Sequence, residues 1–132
     1  MSKCLRAVKA KKLGLVKKFQ VSLATWAHGS ETKSYNIKYN MWNRLLHTNG
    51  TRCCVGFLAK NMGVPDKILS KCTSLGDVAD SSPKFEIFKE LATKIIVSGI
   101  YDDNDHYMKS SDRKRILKRK FKTLGIELEF VP

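Results

Sequence analysis

Acidic residues are scarce in this chain. The 132 residues include 12 Asp and Glu against 25 Lys and Arg, which gives a formal net charge of +13. Closely spaced positive charges repel one another unless a polyanion neutralises them. Binding to nucleic acid is favourable because the phosphates release their condensed counterions. The imbalance therefore favours a polyanionic partner over a neutral one.

Long apolar runs are also missing. No stretch approaches the roughly 20 apolar residues that a membrane-spanning helix needs, so we expect no membrane partner. The first 20 residues are basic but lack a continuous apolar segment, which argues against a secretory signal and favours a cytoplasmic protein. Hydrophobic residues make up 42% of the chain, enough for a packed core, and the length predicts one domain over 1–132.

Motifs for catalysis and metal binding are equally rare. The sequence has no P-loop, no Rossmann glycine pattern and no serine-hydrolase elbow, so we assign no catalytic residue and no cofactor. It also lacks the C-x₂-C spacing of structural zinc sites. The neighbours Cys53 and Cys54 are too close for an unstrained disulfide. We predict that they fill the core, although a reactive thiol beside His47 is an alternative.

The basic residues are concentrated near the two ends. Segments 1–20 and 109–122 hold 15 of the 25 cations with a single acid, Asp112. Segment 1–20 is interpreted as a basic arm or helix, and 112–124 as a helix. A solvated face that only aids solubility is the alternative to a phosphate-binding one. The predicted phosphate contacts are Lys9, Lys11, Lys12, Lys17, Lys18, Arg113, Arg115, Lys118, Arg119 and Lys122.

Periodicity predicts the α+β class, with about four helices packed on a small, mainly antiparallel sheet. Helical spacing or capping residues indicate four helices, and alternation indicates three strands. Polar, turn-rich stretches indicate loops at 73–83 and 99–112, and Trp26 is the aromatic side chain most expected at the surface. The predicted helices are 53–62, 65–72, 85–96 and 112–124, and the predicted strands are 19–25, 35–41 and 126–131.

Two further patterns suggest chemistry. Ala59 and Gly63 have the spacing of a helix-turn-helix, in which a second helix would present Lys67 and Lys71 to a groove; two ordinary packed helices are the alternative. The run 102–106 is rich in carboxylates but does not follow the EF-hand pattern. A solvated loop explains it, and a divalent-metal site of a nuclease is the alternative. The candidate ligands would be Asp102, Asp103, Asp105 and His106.

Two segments resemble known proteins. "NGTRCCVGFLAKNMGVP" resembles the CCLGF-type segment of small uncharacterised tailed-bacteriophage and prophage proteins, and the C-terminal segment ending in "GIELEFVP" resembles their usual end. The basic N-terminal third does not match. The resemblance implies a compact α+β domain, a phage source and the cytoplasm of an infected bacterium, but no activity. The matching positions are Cys53, Cys54, Gly56, Gly63, Asn104, Asp105, Arg113, Phe121, Gly125, Ile126, Glu129 and Phe130.

The leading functional hypothesis is therefore a non-enzymatic phage accessory protein that binds nucleic acid through its two basic segments. One alternative is a phage inhibitor that docks on a host protein, for instance a defence nuclease with an acidic patch. The other is the metal-dependent nuclease that would use 102–106. The sequence does not indicate an oligomeric state.

Overall fold

The computed structural model describes residues 13–28, 44–105 and 108–132. These residues form six α-helices, two short 3-10 helices (Leu23–Thr25 and Pro83–Phe88) and two strands. In chain order the elements are β1 (Lys18–Ser22), α1 (Cys54–Asn61), α2 (Asp66–Leu69), α3 (Leu75–Ser81), α4 (Lys89–Ser98), α5 (Ile100–Asp105), α6 (Ser110–Thr123) and β2 (Glu127–Val131). Helices with a small sheet confirm the α+β class in outline.

The two strands run parallel, so the prediction of a mainly antiparallel sheet was wrong. β1 pairs with β2 in a register that places Phe19 opposite Leu128 and Val21 opposite Phe130. The six described α-helices all lie between these strands in the sequence, and a connection of that length can return to the starting end of the sheet. The strand predicted at 35–41 lies outside the described residues.

One apolar core joins the sheet to the helices. Phe19 and Val21 on β1, and Leu128 on β2, are almost fully buried, whereas Lys18 and Gln20, on either side of Phe19, are exposed. This alternation is the period-2 pattern of a sheet with one buried face. The sheet packs that face against the helices, and its other face carries polar side chains.

Two helices lie where the sequence predicted loops. α3 begins after Ser74, whose hydroxyl accepts from the backbone N–H of Asp77 at 3.1 Å. This cap stabilises the first turn, and burial of Leu75 and Val78 along one side holds the helix to the core. α5 is short, but Ile100 and Asn104, spaced four apart, are both buried. Tertiary packing and capping outweighed the turn-forming residues that suggested loops.

The other predicted helices are present with adjusted bounds. The predicted helix 85–96 is divided between the 3-10 turn Pro83–Phe88 and α4, and α2 is only four residues long. Of segment 1–20, residues 13–17 are described and not helical, residues 18–20 belong to β1, and residues 1–12 lie outside the described ranges. Within those ranges, no helix is both long enough and apolar enough to cross a bilayer.

Candidate nucleic-acid interface

The fold brings the end of the first basic segment against the second. Phe19 on β1 contacts Phe121 on α6 edge to face, with 5.1 Å between the ring centroids. The backbone N–H of Glu127 donates to the carbonyl of Lys17 at 2.8 Å, which fixes Lys17 beside the start of β2. Lys17 and the last turns of α6 are more than 100 residues apart in sequence, and they lie side by side because of this pairing.

The result is a groove of about 650 Å³ between α6, β2 and the chain before β1. We call it the basic groove and define it by Lys17, Lys118, Arg119 and Lys122. Its floor consists of small and apolar residues at the α6–β2 connection, and the one carboxylate among its described lining residues belongs to Glu127. The floor residues are Gly125, Ile126 and Leu128.

These four cations are exposed and, within the described residues, none of them forms an ion pair. Lys118 and Lys122 are four residues apart on one helix, an arrangement that destabilises a helix by about 0.2–0.5 kcal/mol. Cations in the last turn do gain from the helix dipole, which accounts for Lys122 in part. The helix dipole does not explain why Lys17 lies beside the three cations of α6. The accumulation of four positive charges in one groove is therefore electrostatically unfavourable.

Not every predicted phosphate contact lies in this groove. Arg115 Nη2 is 3.2 Å from Asp112 Oδ1, an ion pair within one turn of α6, and Arg115 does not line the groove. Lys18 follows Lys17 directly but lines a different groove and not the basic groove. Lys9, Lys11 and Lys12 lie outside the described residues.

The burial of Arg113 contradicts its predicted role as a phosphate contact. It was predicted to contact phosphate, yet it has 0% exposure and is among the largest fully buried side chains. Its Nε donates to the backbone carbonyl of Asp103 at 3.1 Å, and its Nη1 donates to His28 Nδ1 at 3.3 Å. Arg113 is therefore part of the protein interior and cannot reach a phosphate in this fold.

A second polar residue, Asn104, lies close by in the interior. Its Oδ1 accepts from the indole N–H of Trp26 at 2.8 Å and from the backbone N–H of Cys54 at 3.2 Å. The prediction of an exposed Trp26 was wrong, because this side chain is only 7% exposed. We call Trp26, Cys54, Asn104 and Arg113 the buried node. Asn104 on α5 connects the chain after β1 to the start of α1, and Arg113 connects α6 to α5 and to His28.

The acidic run at 102–106 lies mostly in α5 and does not form a metal site in the described residues. Asp103 forms an ion pair with Lys120 on α6, and Asp105 Oδ1 accepts from the Asn104 side-chain amide at 2.8 Å. No three Asp, Glu, His or Cys side chains of the described ranges gather in a way that could hold a metal ion. His106 lies outside those ranges.

The vicinal cysteines are core residues, as predicted. Cys53 and Cys54 are 2% and 0% exposed, and burial raises the pKa of Cys53 to about 12 and that of Cys54 well above its usual value. A thiol with so high a pKa is a poor nucleophile at neutral pH. Gly56 in the same motif is required sterically, because a Cβ there would lie 1.9 Å from the carbonyl oxygen of Leu45.

The helix-turn-helix spacing corresponds to two real helices, α1 and α2, joined at Gly63, whose φ of +92° suits a glycine cap. However, α2 spans only Asp66–Leu69, about one turn. A helix of that length cannot follow a DNA groove as a recognition helix does. The alternative interpretation, two packed helices with a glycine turn, agrees better with the geometry.

Comparisons of the chain with protein-family models, with curated proteins and with solved structures gave no match. Function must therefore be inferred from the arrangement of side chains. Sequence reasoning found all four cations of the basic groove but missed its floor and Glu127. Glu127 and Leu128 lie beside Lys17 through the pairing of β2 with β1, which no local pattern encodes.

Proposed function

We propose that this protein binds nucleic acid through the basic groove and is not an enzyme. The observation that supports the proposal is the convergence of Lys17 with Lys118, Arg119 and Lys122 on one groove, whose described lining contains a single carboxylate. Phosphate contacts of this kind supply most of the sequence-independent affinity for nucleic acid. The resemblance to phage proteins would make this an accessory protein of a bacteriophage.

The cations of the basic groove favour a polyanion electrostatically. Each of the four side chains carries a positive charge at neutral pH, and none has an ion-pair partner among the described residues that would have to be displaced. A phosphodiester chain entering the groove meets several cations in succession and releases counterions at each contact. Binding should therefore be weakened strongly by salt and should depend little on base sequence.

Fluorescence anisotropy with labelled DNA and RNA oligonucleotides tests the proposal. We expect measurable affinity at about 50 mM salt, falling as salt increases. The test variant carries Lys118→Gln, Arg119→Gln and Lys122→Gln. The control carries Lys67→Gln, Lys71→Gln and Lys89→Gln, exposed positions that do not line the basic groove, so both variants have the same net charge. Absence of binding at low salt, or equal losses in the two variants, would overturn the proposal.

A host protein is the second candidate partner, and one observation favours it. Val97 and Ile96 at the end of α4 are 81% and 59% exposed, which is unusual for adjacent large apolar residues unless they meet a partner. Pull-down from nuclease-treated bacterial lysate separates the two candidates. A stoichiometric protein that is lost with Val97→Lys but retained by the α6 triple variant would favour docking on a host protein.

A further inference from the structure

A second groove, of about 540 Å³, lies on the outward face of the sheet. Its floor carries the exposed side chains of both strands, and one wall is formed by α1. We call it the mixed groove because cations and carboxylates both line it. The charged lining residues are Lys18, Arg52, Lys60, Glu127 and Glu129. Its volume falls in the range of small-molecule sites, about 300–1,000 Å³.

Most charges of the mixed groove lie in two groups, while Lys18 on β1 lies in register with Glu127. Arg52 and Lys60 lie on the α1 side, where Arg52 Nη2 and Lys60 Nζ approach the same carboxylate oxygen of Asp66, at 3.1 and 3.5 Å. Glu127 and Glu129 lie on β2, where Glu129 Oε1 accepts from Gln20 Nε2 on β1 at 3.0 Å. A ligand that carries an anion at one end and N–H donors at the other is complementary to this arrangement.

Arg52 has a buried hydrogen-bond donor that a ligand in the mixed groove could satisfy. Its side chain is 10% exposed, and within the described residues its Nη1 has no hydrogen-bond partner. A buried donor without a partner is unfavourable, and a single carboxylate shared between two cations leaves positive charge uncompensated. An anion placed beside Lys60 would supply the missing counter-charge to this guanidinium.

The mixed groove adjoins the basic groove. Glu127 lines both, and the neighbours Lys17 and Lys18 line one groove each. A strand whose backbone follows the basic groove can therefore continue into the mixed groove. Its phosphates would be repelled there by Glu127 and Glu129, whereas the N–H groups of a base edge would be accepted by the same carboxylates.

We propose that the mixed groove receives an unpaired base of the strand held in the basic groove. The base edge donates to Glu127 or Glu129, the apolar ring of Phe57 in the α1 wall contacts the base, and Lys60 with Arg52 faces the adjoining phosphate. A duplex is disfavoured, because its Watson–Crick edges are already paired and its phosphates would face the carboxylates. This inference rests on the proposed function and adds to it a preference for single strands.

The test compares three labelled ligands of equal length by anisotropy: a single strand of about 12 nucleotides, its duplex, and a strand in which stable abasic sites replace every base. One base–protein contact changes affinity by roughly tenfold. We therefore expect the intact strand to bind about tenfold tighter than the abasic strand, and tighter than the duplex. In the variant with Glu127→Gln and Glu129→Gln this preference should fall below about threefold.

The control variant, Glu86→Gln with Glu90→Gln, removes two carboxylates that line neither groove and should keep the tenfold preference. If the wild-type protein binds intact, abasic and duplex ligands equally, the base-binding inference is wrong while the proposed function stands. The inference is also wrong if the preference survives unchanged in the Glu127/Glu129 variant. If none of the ligands binds, both the inference and the proposed function are wrong.

Discussion

The buried node and the basic groove use the same residue types for opposite purposes. Both take a cation from α6: Arg113 belongs to the node, and Arg119, six residues later, belongs to the groove. In the node, Arg113 Nε and Nη1 are hydrogen-bonded to the Asp103 carbonyl and to His28, and the Arg113 side chain is fully buried. In the groove, four cations lie together without an ion pair in the described residues.

Charge content alone therefore does not identify a binding surface. Eight basic residues in 109–122 look equivalent in the sequence, but the fold divides them by function. Arg113 stabilises the interior, Lys120 and Arg115 form ion pairs with Asp103 and Asp112, and only the last exposed turns face the groove. Variants that change only the buried or ion-paired cations, or only the cations of the basic groove, therefore test whether the two groups have different functions.

The largest effect is expected in the buried node. Arg113→Met keeps much of the side-chain volume but removes the donors to the Asp103 carbonyl and to His28. We expect the free energy of unfolding to fall by about 2–4 kcal/mol, because a fully buried side chain loses its hydrogen bonds to the Asp103 carbonyl and to His28. Urea denaturation measures it. Arg119→Met, an exposed site on the same helix, should change stability by less than about 0.5 kcal/mol; a similar loss for both would mean that Arg113 is not structural.

A smaller decrease in the free energy of unfolding is expected when the pH is raised. The folded pKa of Cys53 is about 12, above the usual value of 9.0 for a free thiol, because burial disfavours the thiolate. The folded state therefore favours the protonated thiol. Its stabilising contribution is complete below about pH 9 and declines as pH rises towards 12, by about 1.4 kcal/mol per pH unit.

Urea denaturation at about pH 8, 9 and 10 in the presence of a reductant measures this decline. Cys53→Ala should flatten the profile relative to the wild-type protein. Native Cys53 and Cys54 should also react slowly with a thiol reagent at about pH 8, and only after unfolding at the rate of a free thiol. Rapid modification of the native protein would show that this part of the interior is open.

The smallest expected effect is a difference in oligonucleotide affinity between variants of two arginines on the outer surface of α6. Arg119→Gln should weaken oligonucleotide binding by a factor of about three to five, because one phosphate contact is lost. Arg115→Gln should change it by less than about twofold, since Arg115 is paired with Asp112 and lies outside the groove. The two variants have equal net charge. Equal losses would indicate that total charge, rather than the groove, governs binding.

Local patterns predicted much of the fold. Helix periodicity located α1, most of α4 and α6, and alternation located β1 and β2. The parallel pairing of the strands could not be predicted from local patterns, because it depends on contacts between residues more than 100 positions apart in the sequence. α3 was missed although Ser74 and Asp77 have a helix-capping spacing, since the polar composition around them suggested a loop.

The burial of Arg113 had a local sign that was overlooked. Arg113, Leu117 and Phe121 are spaced by four, so a helix places all three on one side, and all three are buried. By the same spacing, Lys118 and Lys122 share another side of the helix and line the groove. The position of Lys17 beside them followed only from the strand register, and so did the contribution of Glu127 to both grooves.

The salt dependence of oligonucleotide affinity tests the central claim most directly. For a single strand, the logarithm of the association constant falls with the logarithm of salt concentration by about 0.7 for each phosphate contact. Removing Lys118, Arg119 and Lys122 should therefore make the slope shallower by about 2 and weaken binding at about 50 mM salt by at least tenfold. The control at Lys67, Lys71 and Lys89 should keep the wild-type slope. Identical slopes in the wild-type protein and in both variants would contradict the assignment of the basic groove.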